Sequence, residues 1–367
     1  VAVVGIVMLL EATRRALGLP MVVVALVFLG YTFGGPYMPD LIAHKGASLS
    51  RAMSHQWLTT EGVFGVALGV SSGFIFLFVL FGSLLDRAGA GNYFIKSAFA
   101  LLGHMRGGPA KAAVVSSAAT GIISGSSIAN VVTTGTFTIP LMKRVGYRPD
   151  QAGAVEVSSS VNGQIMPPVM GAAAFLMVEY VGITYVEVMK HAVLPAIISY
   201  IALFYIVHLE ALKAGLQGLP RRSQATAGQR LLALAMNVSG FVVLAGAVYY
   251  GIGWVKTLLP DAAVWIIGAG LLGAYVALMW VASRQPELTL DDPNAPVFEL
   301  PETQPTLLSG LHYLLSVVVL IWCLMVEQMS PALSAFWATL FMIFVMVTQR
   351  PLMALLRGHD GLGAAVK

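Results

Sequence analysis

The chain has 367 residues, of which only 10% are Asp, Glu, Lys or Arg, and its mean hydropathy is +0.82. Soluble domains carry about 25% charged residues, so these values exclude an ordinary water-soluble protein. The formal net charge of +4 does not come from a basic stripe interleaved with aromatic residues, so we expect no nucleic acid as a partner.

Uncharged stretches that are long enough to cross a bilayer recur along the sequence. A helix needs about 20 apolar residues to cross a hydrocarbon core of roughly 30 Å, and lipid admits only helices or closed barrels. No segment alternates with a period of two, so the sequence predicts an all-α polytopic membrane protein. The predicted membrane segments are 19–35, 61–85, 152–183, 192–209, 231–250, 262–282, 306–326 and 331–348, with a short interfacial helix at 92–104.

The basic residues predict which loops face the cytoplasm. When the loops are placed on alternate sides, 17 of the 21 Lys and Arg residues fall on one side, and only Lys45, Arg51, Lys190 and Lys256 fall on the other. Positive residues mark the cytoplasmic side. The acidic, proline-rich stretch 283–305 is then a solvated cytoplasmic linker.

Residues 112–142 form an uncharged stretch between Lys111 and Lys143. This stretch is too long for one span and too short for two spans with a turn. Because both flanks are basic, we expect a re-entrant hairpin that enters and leaves the membrane by the same face. Its predicted tip is Ser124-Gly125-Ser126-Ser127, because Gly permits a tight reversal and Ser126 or Ser127 can cap the second arm.

The predicted tip carries groups that could bind ions. The free N–H groups that begin the second arm favour an anion, and the last carbonyls of the first arm favour a cation. Asn130 adds a polar side chain on the second arm. The alternative is that the small residues only allow two helices to pack closely.

Pro167 and Pro168 are expected to break the helix predicted at 152–183. Proline has no N–H, so the carbonyls of Gly163 and Gln164 lose their helical donors. Broken helices of this kind line the ion and substrate sites of many secondary transporters. The alternative is an ordinary proline kink whose carbonyls find other partners.

The coupling ion is predicted from the residue types at mid-depth. A proton pathway requires Asp, Glu or His there, whereas Glu156 and Glu179 lie near the ends of their predicted span and are expected to be solvated or structural. Hydroxyls and carbonyls are hard oxygen ligands, which favours sodium over protons. The sequence has no GxxxxGK[ST] loop for ATP and no pattern that calls for a cofactor. An enzyme would need a catalytic dyad at membrane depth, and the sequence offers none, so we predict a protein that is not an enzyme.

Two long motifs carry a resemblance to a known family. Residues 107–147, GGPAKAAVVSSAATGIISGSSIANVVTTGTFTIPLMKRVGY, are followed by GQIMPPVMGAAAF at 163–175. Together they resemble the large membrane subunit of the tripartite ATP-independent periplasmic (TRAP) transporters, most of all the TAXI-type fused permeases. The resemblance implies a sodium-coupled elevator transporter in a bacterial inner membrane, which imports a small organic anion delivered by a periplasmic substrate-binding protein.

The resemblance also implies a division of the chain and a set of site residues. Residues 1–35 correspond to the tail of a small-subunit region, 36–60 to an external connector, 61–209 to the first transport repeat, 210–305 to connecting helices and a linker, and 306–367 to the start of a second, inverted repeat. Since the sequence opens at Val1 inside an apolar run and stops before a second hairpin, we expect a fragment. The implied substrate- and ion-binding residues are Ser124, Gly125, Ser126, Ser127, Asn130, Asn162, Gly163, Gln164, Pro167 and Pro168, with sodium near Ser124, Ser126, Gly163 and Gln164.

Two rival functions stay open on the sequence alone. A sodium/dicarboxylate elevator that works without a binding protein would use similar elements, and a neighbouring gene for a secreted binding protein would separate the two. A membrane scaffold that transports nothing would need no polar breaks at matching depth.

Overall fold

The structure, a computed structural model, describes residues 1–219, 227–286 and 300–357. Within these ranges the regular structure is helical and contains no strand. The α-helices are α1 (Ala2–Leu17), α2 (Leu19–Gly34), α3 (Leu49–Leu58), α4 (Val66–Val70), α5 (Phe76–Ala88), α6 (Ala90–Leu102), α7 (Gly108–Ser124), α8 (Ser127–Arg144), α9 (Pro149–Asn162), α10 (Ala172–Met177), α11 (Tyr185–Lys213), α12 (Ala227–Leu258), α13 (Ala263–Ser283), α14 (Thr303–Ser309), α15 (Leu311–Met325) and α16 (Pro331–Arg357).

Several of these helices are long and apolar enough to cross a membrane. The candidate spans in the described ranges are Leu19–Tyr37, Val66–Ala88, Tyr185–Lys213, Ala263–Ser283 and Pro331–Arg357. The first is α2 with the short helical turn that follows it, and the second joins α4 and α5 through the helical residues Ser71–Ile75. The pair α14 and α15, bent by 53°, makes a sixth if it counts as one span. The predicted all-α polytopic membrane fold is confirmed. Most of the predicted linker 283–305 and part of the loop 210–230 lie outside the described residues.

The N-terminal residues form one compact unit, made of residues 1–76 and 175–183. Helix α1 packs against α2 and α3, and the Trp57 ring lies directly over Gly5, where a Cβ atom would overlap it. Glu11 accepts hydrogen bonds from Arg14 and Arg15 on the exposed face of α1, and these bonds lower the pKa of Glu11 to about 2.

The second unit consists of residues 77–174 together with the chain from Thr184 onward. Its core includes α6, which was expected to lie along the membrane interface. The helix is present, but Tyr93, Phe94 and Phe99 on it are buried, and it packs against α7 and α14. Gly91 leaves room for Thr133 of α8, whose Cγ2 would lie 2.8 Å from a Cβ atom at residue 91. That α6 lies along the membrane interface stays a prediction, because packing against other helices does not place it relative to a bilayer.

Helices α7, α8, α9 and α11 pack together in the same unit and position the candidate site. A buried apolar cluster joins them, with Ala110, Val114, Met142, Ala152 and Val207 among its members. Alanine and valine dominate because their small side chains let the helix backbones approach closely.

Candidate functional site

The hairpin begins with the turn between α7 and α8. Helix α7 ends at Ser124, and Gly125 follows in the left-handed conformation with φ of 58°, a conformation that glycine adopts at little cost. Ser126 precedes α8, and its side chain accepts a hydrogen bond from the N–H of Ala129 at 3.3 Å. The predicted reversal and the predicted serine cap are both confirmed. That both arms meet the same face of a membrane stays a prediction.

Close backbone contacts join this hairpin to the segment after α9. A Cβ atom at Gly125 would overlap the carbonyl oxygen of Met170, and one at Gly121 would lie 2.6 Å from Cα of Gly163. A contact below 3 Å requires the backbone itself to shift. Glycine at these two positions therefore lets the end of α7 lie directly against the segment 163–171.

The helix break lies where the two prolines predict it. Helix α9 ends at Asn162, a single 3₁₀ turn covers Gly163–Ile165, and α10 begins only at Ala172. The peptide bond between Pro167 and Pro168 is cis. The sequence prediction of a discontinuous helix is confirmed.

The carbonyls at the break, however, are not left without partners. The Gly163 oxygen accepts from the N–H of Met166 at 3.2 Å, and the Gln164 oxygen accepts from the N–H of Gly171 at 2.6 Å. The two carbonyls lose their helical donors as predicted, and the chain turns back after the prolines and supplies other donors, as the alternative interpretation expects. A carbonyl oxygen still has a second lone pair for an ion.

A side-chain contact connects the break to the hairpin tip. The amide nitrogen of Gln164 donates to the hydroxyl of Ser127 at 2.6 Å. Behind the break, the Tyr185 hydroxyl lies 2.7 Å from the Pro168 oxygen and 2.9 Å from the Val169 oxygen. The tip and the break, predicted separately from the sequence, are thus neighbours.

The remaining predicted site residues differ in position. The Ser124 hydroxyl lies 3.4 Å from the Ser126 backbone nitrogen, inside the turn. Asn130 is buried, and its amide nitrogen donates to the Ser117 oxygen at 3.0 Å, so it ties the two arms of the hairpin together. Asn162 is half-buried at the end of α9.

A polar cluster that the sequence did not reveal lies behind the tip, around Glu156. Glu156 has no exposed surface, so of the two roles expected for it, solvated or structural, the solvated one is wrong. Four hydroxyls surround it, and we call them the hydroxyl cluster: Ser117, Thr134, Thr138 and Ser160. The Thr138 hydroxyl lies 2.5 Å from Oε2, the Ser160 and Ser117 hydroxyls lie 3.3 and 3.5 Å from Oε1, and the Thr134 hydroxyl also contacts Oε1.

The hydroxyl cluster follows from helical spacing. Thr134 and Thr138 are four residues apart on α8, and Glu156 and Ser160 are four apart on α9, so each pair shares a helix face. Gly135 lies between the helices, where a Cβ atom would be 3.1 Å from Cγ of Glu156. The spacing is visible in the sequence, but the rotation that turns both faces toward α7 is not.

These features define the class of the protein: a multi-pass helical membrane protein with a helical hairpin packed on a broken helix. The family described as "Tripartite ATP-independent periplasmic transporter, DctM component" matches residues 4–267. The chain therefore belongs to this family, and it is a multi-pass inner-membrane protein.

Curated relatives agree with this assignment. The chain is 28% identical over 181 residues to the ectoine TRAP transporter large permease protein TeaC of Halomonas elongata, which covers 48% of this chain and 41% of that protein. It is 29% identical over 208 residues to the C4-dicarboxylate large permease DctM of Pseudomonas aeruginosa, covering 55% and 45%. It is 25% identical over 174 residues to the sialic acid large permease SiaM of Vibrio cholerae, covering 47% and 40%. The chain thus spans less than half the length of each of these relatives.

Proposed function

We propose that this chain is part of a sodium-coupled, binding-protein-dependent importer of a small organic carboxylate, of the TAXI type. The observation that carries the proposal is the contact between Gln164 at the helix break and Ser127 at the hairpin tip, at 2.6 Å. It brings two interrupted helices together, and interrupted helices are where secondary transporters bind ions and substrates.

The oxygen atoms near this contact support a sodium ion as the coupling ion. The hydroxyls of Ser124 and Ser126 and the second lone pairs of the Gly163 and Gln164 carbonyls are hard ligands, which suit a hard cation. Ser124 and Ser126 flank the turn at Gly125. The backbone of Gly163 lies against Gly121 of α7, the arm of the hairpin that ends at Ser124. The N-terminus of α8 in turn favours an anionic group of the substrate.

The relatives support the carboxylate and the partner. Two of the three are named for acids, C4-dicarboxylates and sialic acid, and all three are named as TRAP permeases. The different substrate names show that the family alone does not choose the substrate. The periplasmic substrate-binding protein is proposed from membership in a tripartite family.

Uptake by the complete transporter in proteoliposomes tests this function. A panel of radiolabelled organic acids is offered with the cognate binding protein, under an inward sodium gradient, an inward proton gradient, or neither. We expect uptake only with the binding protein and the sodium gradient. Equal uptake without the binding protein would favour a sodium/dicarboxylate elevator, and uptake driven by protons alone would exclude sodium as the coupling ion.

A further inference from the structure

The burial of Glu156 needs an explanation that close helix packing does not give. An ionised carboxylate in a protein interior is strongly unfavourable unless it is paired with a cation. Ionisable side chains inside membrane segments are rare and commonly mark ion or proton sites. Yet Glu156 lies at the centre of three packed helices, with none of its surface exposed.

The hydrogen-bond partners of Glu156 are neutral. Within the described part of the chain they are the four hydroxyls of the cluster, and no basic side chain forms an ion pair with this carboxyl. A buried carboxyl without a cation is stable mainly in its neutral, protonated form.

The charged groups on the surrounding helices are directed elsewhere. On α7, the Lys111 Nζ contacts the Nδ1 of His208 on α11 at 3.0 Å. Lys111 is six residues from Ser117, or roughly 9 Å along the helix. Lys143 and Arg144 lie in the last turn of α8 and are exposed, more than one turn beyond Thr138.

The titratable groups of α9 and α11 also make their contacts away from Glu156. Asp150 is exposed in the first turn of α9 and contacts Arg148. On α11, Glu210 accepts from Gln151 at 3.4 Å, and the Tyr200 hydroxyl donates to the Ser159 oxygen at 3.1 Å. The exposed Glu187, Lys190 and His191 lie at the opposite end of α11. None of these hydrogen bonds involves Glu156.

The hydroxyl cluster suits both protonation states of this carboxyl. A hydroxyl can donate one hydrogen bond and accept others. Thr134 lies 2.8 Å from the Asn130 oxygen, and Thr138 lies 3.0 Å from the Thr134 oxygen. Each threonine can therefore donate either to the carboxylate or, by rotating, to a carbonyl of its own helix. In the second case its oxygen is free to accept a hydrogen bond from the O–H of the carboxylic acid.

We propose that Glu156 is a reversible proton-binding site, protonated while the hairpin α7–α8 is packed on α9 as in this structure. Proton binding neutralises the carboxyl and permits this packing. Loss of the proton leaves a buried negative charge that favours separation of the hairpin from α9. The site is separate from the proposed sodium ligands, because Glu156 contacts none of Ser124, Ser126, Gly163 and Gln164 among the described hydrogen bonds. The inference rests on the proposed transport function only for its uptake readout.

Infrared spectroscopy of the purified protein tests the proton directly. The carbonyl stretch of a protonated carboxylic acid is compared at neutral pH between wild type and Glu156→Gln, with Glu179→Gln, which alters an exposed carboxyl, as the control. We expect a band that is lost in Glu156→Gln and kept in Glu179→Gln. Spectra of wild type and Glu156→Gln without such a difference would show an ionised Glu156 and overturn the proposal.

Two further measurements cover misfolding and a competing ion. Thr138→Val removes one hydroxyl at similar volume and should shift the band in frequency, so the proposal can be tested even if Glu156→Gln does not fold; an unshifted band would count against it. A band present only without sodium would mean that sodium binds the carboxylate, which also overturns the proposal.

Uptake assays test whether the proton site acts in transport. We expect the rate of uptake to depend on pH in wild type and to lose this dependence in Glu156→Gln. If the pH dependence of uptake is unaltered in Glu156→Gln, the site has no role in transport, whichever ion drives uptake.

Discussion

Gly125 at the hairpin tip meets two separate demands at one residue. Its φ is 58°, which an L side chain rarely adopts, and the Met170 carbonyl occupies the space where a Cβ atom would lie. Gly215 shares the first demand, with φ of 65°, but has no heavy atom within 4 Å of the ideal Cβ position. A comparison of substitutions at these two glycines therefore separates the energetic cost of backbone strain from that of close packing.

We expect Gly125→Ala to destabilise the protein more than Gly215→Ala. Left-handed backbone costs alanine about 1–2 kcal/mol in both variants, and overpacking adds about 1–3 kcal/mol at residue 125 alone. Thermal unfolding in detergent measures the difference. Equal losses in the two variants would mean that the tip does not lie against Met170 as closely as the structure shows.

The candidate site shows which residues can be predicted from sequence. The turn at Ser124–Ser127 and the break at Pro167–Pro168 were predictable because glycine, serine and proline act locally on the backbone. The burial of Glu156 was not, because its position near one end of a predicted span left a solvated and a structural role both open. Only the rotation of α8 and α9 buries it, and that rotation depends on packing across three helices.

At the scale of elements, the broken helix is held by hydrogen bonds that replace the helical ones. The N–H groups of Met166 and Gly171 donate hydrogen bonds to the carbonyls of Gly163 and Gln164. The sequence predicted that the prolines interrupt the helix, since that follows from a missing N–H. It could not predict the replacement donors, because they depend on how the chain turns after Pro168.

Replacing both prolines of the broken helix should lower the affinity of the transporter for sodium. Pro167→Ala with Pro168→Ala restores two N–H donors, which can draw the Gly163 and Gln164 carbonyls back into a regular helix. We expect the variant to insert normally but to need more sodium for half-maximal uptake by the complete transporter. Pro195→Ala is the control, since Pro195 lies inside the continuous helix α11. Unchanged sodium dependence in the double variant would remove these carbonyls from the list of ligands.

At the scale of the whole molecule, the fold class could be predicted from the sequence because a lipid environment strongly restricts composition. Low charge and long apolar stretches predicted an all-α membrane protein, and the described helices confirm it. The interfacial placement of α6 stays a prediction, because packing against other helices does not place it relative to a bilayer. Its short apolar sequence is equally suited to a membrane surface and to the packed position that α6 occupies against α7 and α14.

The re-entrant hairpin makes a topological prediction for the whole protein. Arg106 and Lys143 are exposed residues on either side of the hairpin. In a Cys323→Ala background, we expect Arg106→Cys and Lys143→Cys both to react with an impermeant maleimide only from the cytoplasm. Lys190→Cys is the control and should react only from the periplasm. Labelling of Arg106→Cys and Lys143→Cys from opposite faces would mean that residues 112–142 cross the membrane.

The central claim is that the hairpin tip and the helix break form one sodium-dependent site, joined by Ser127 and Gln164. The most direct test is a double-mutant cycle on the complete transporter, in which the sodium concentration for half-maximal uptake is measured for wild type, Ser127→Ala, Gln164→Ala and the double variant. Residues in direct contact give non-additive effects. We predict that each single variant raises this concentration and that the double variant raises it no further than the stronger single one. Additive effects, or sodium dependence equal to wild type in all three variants, would contradict the account.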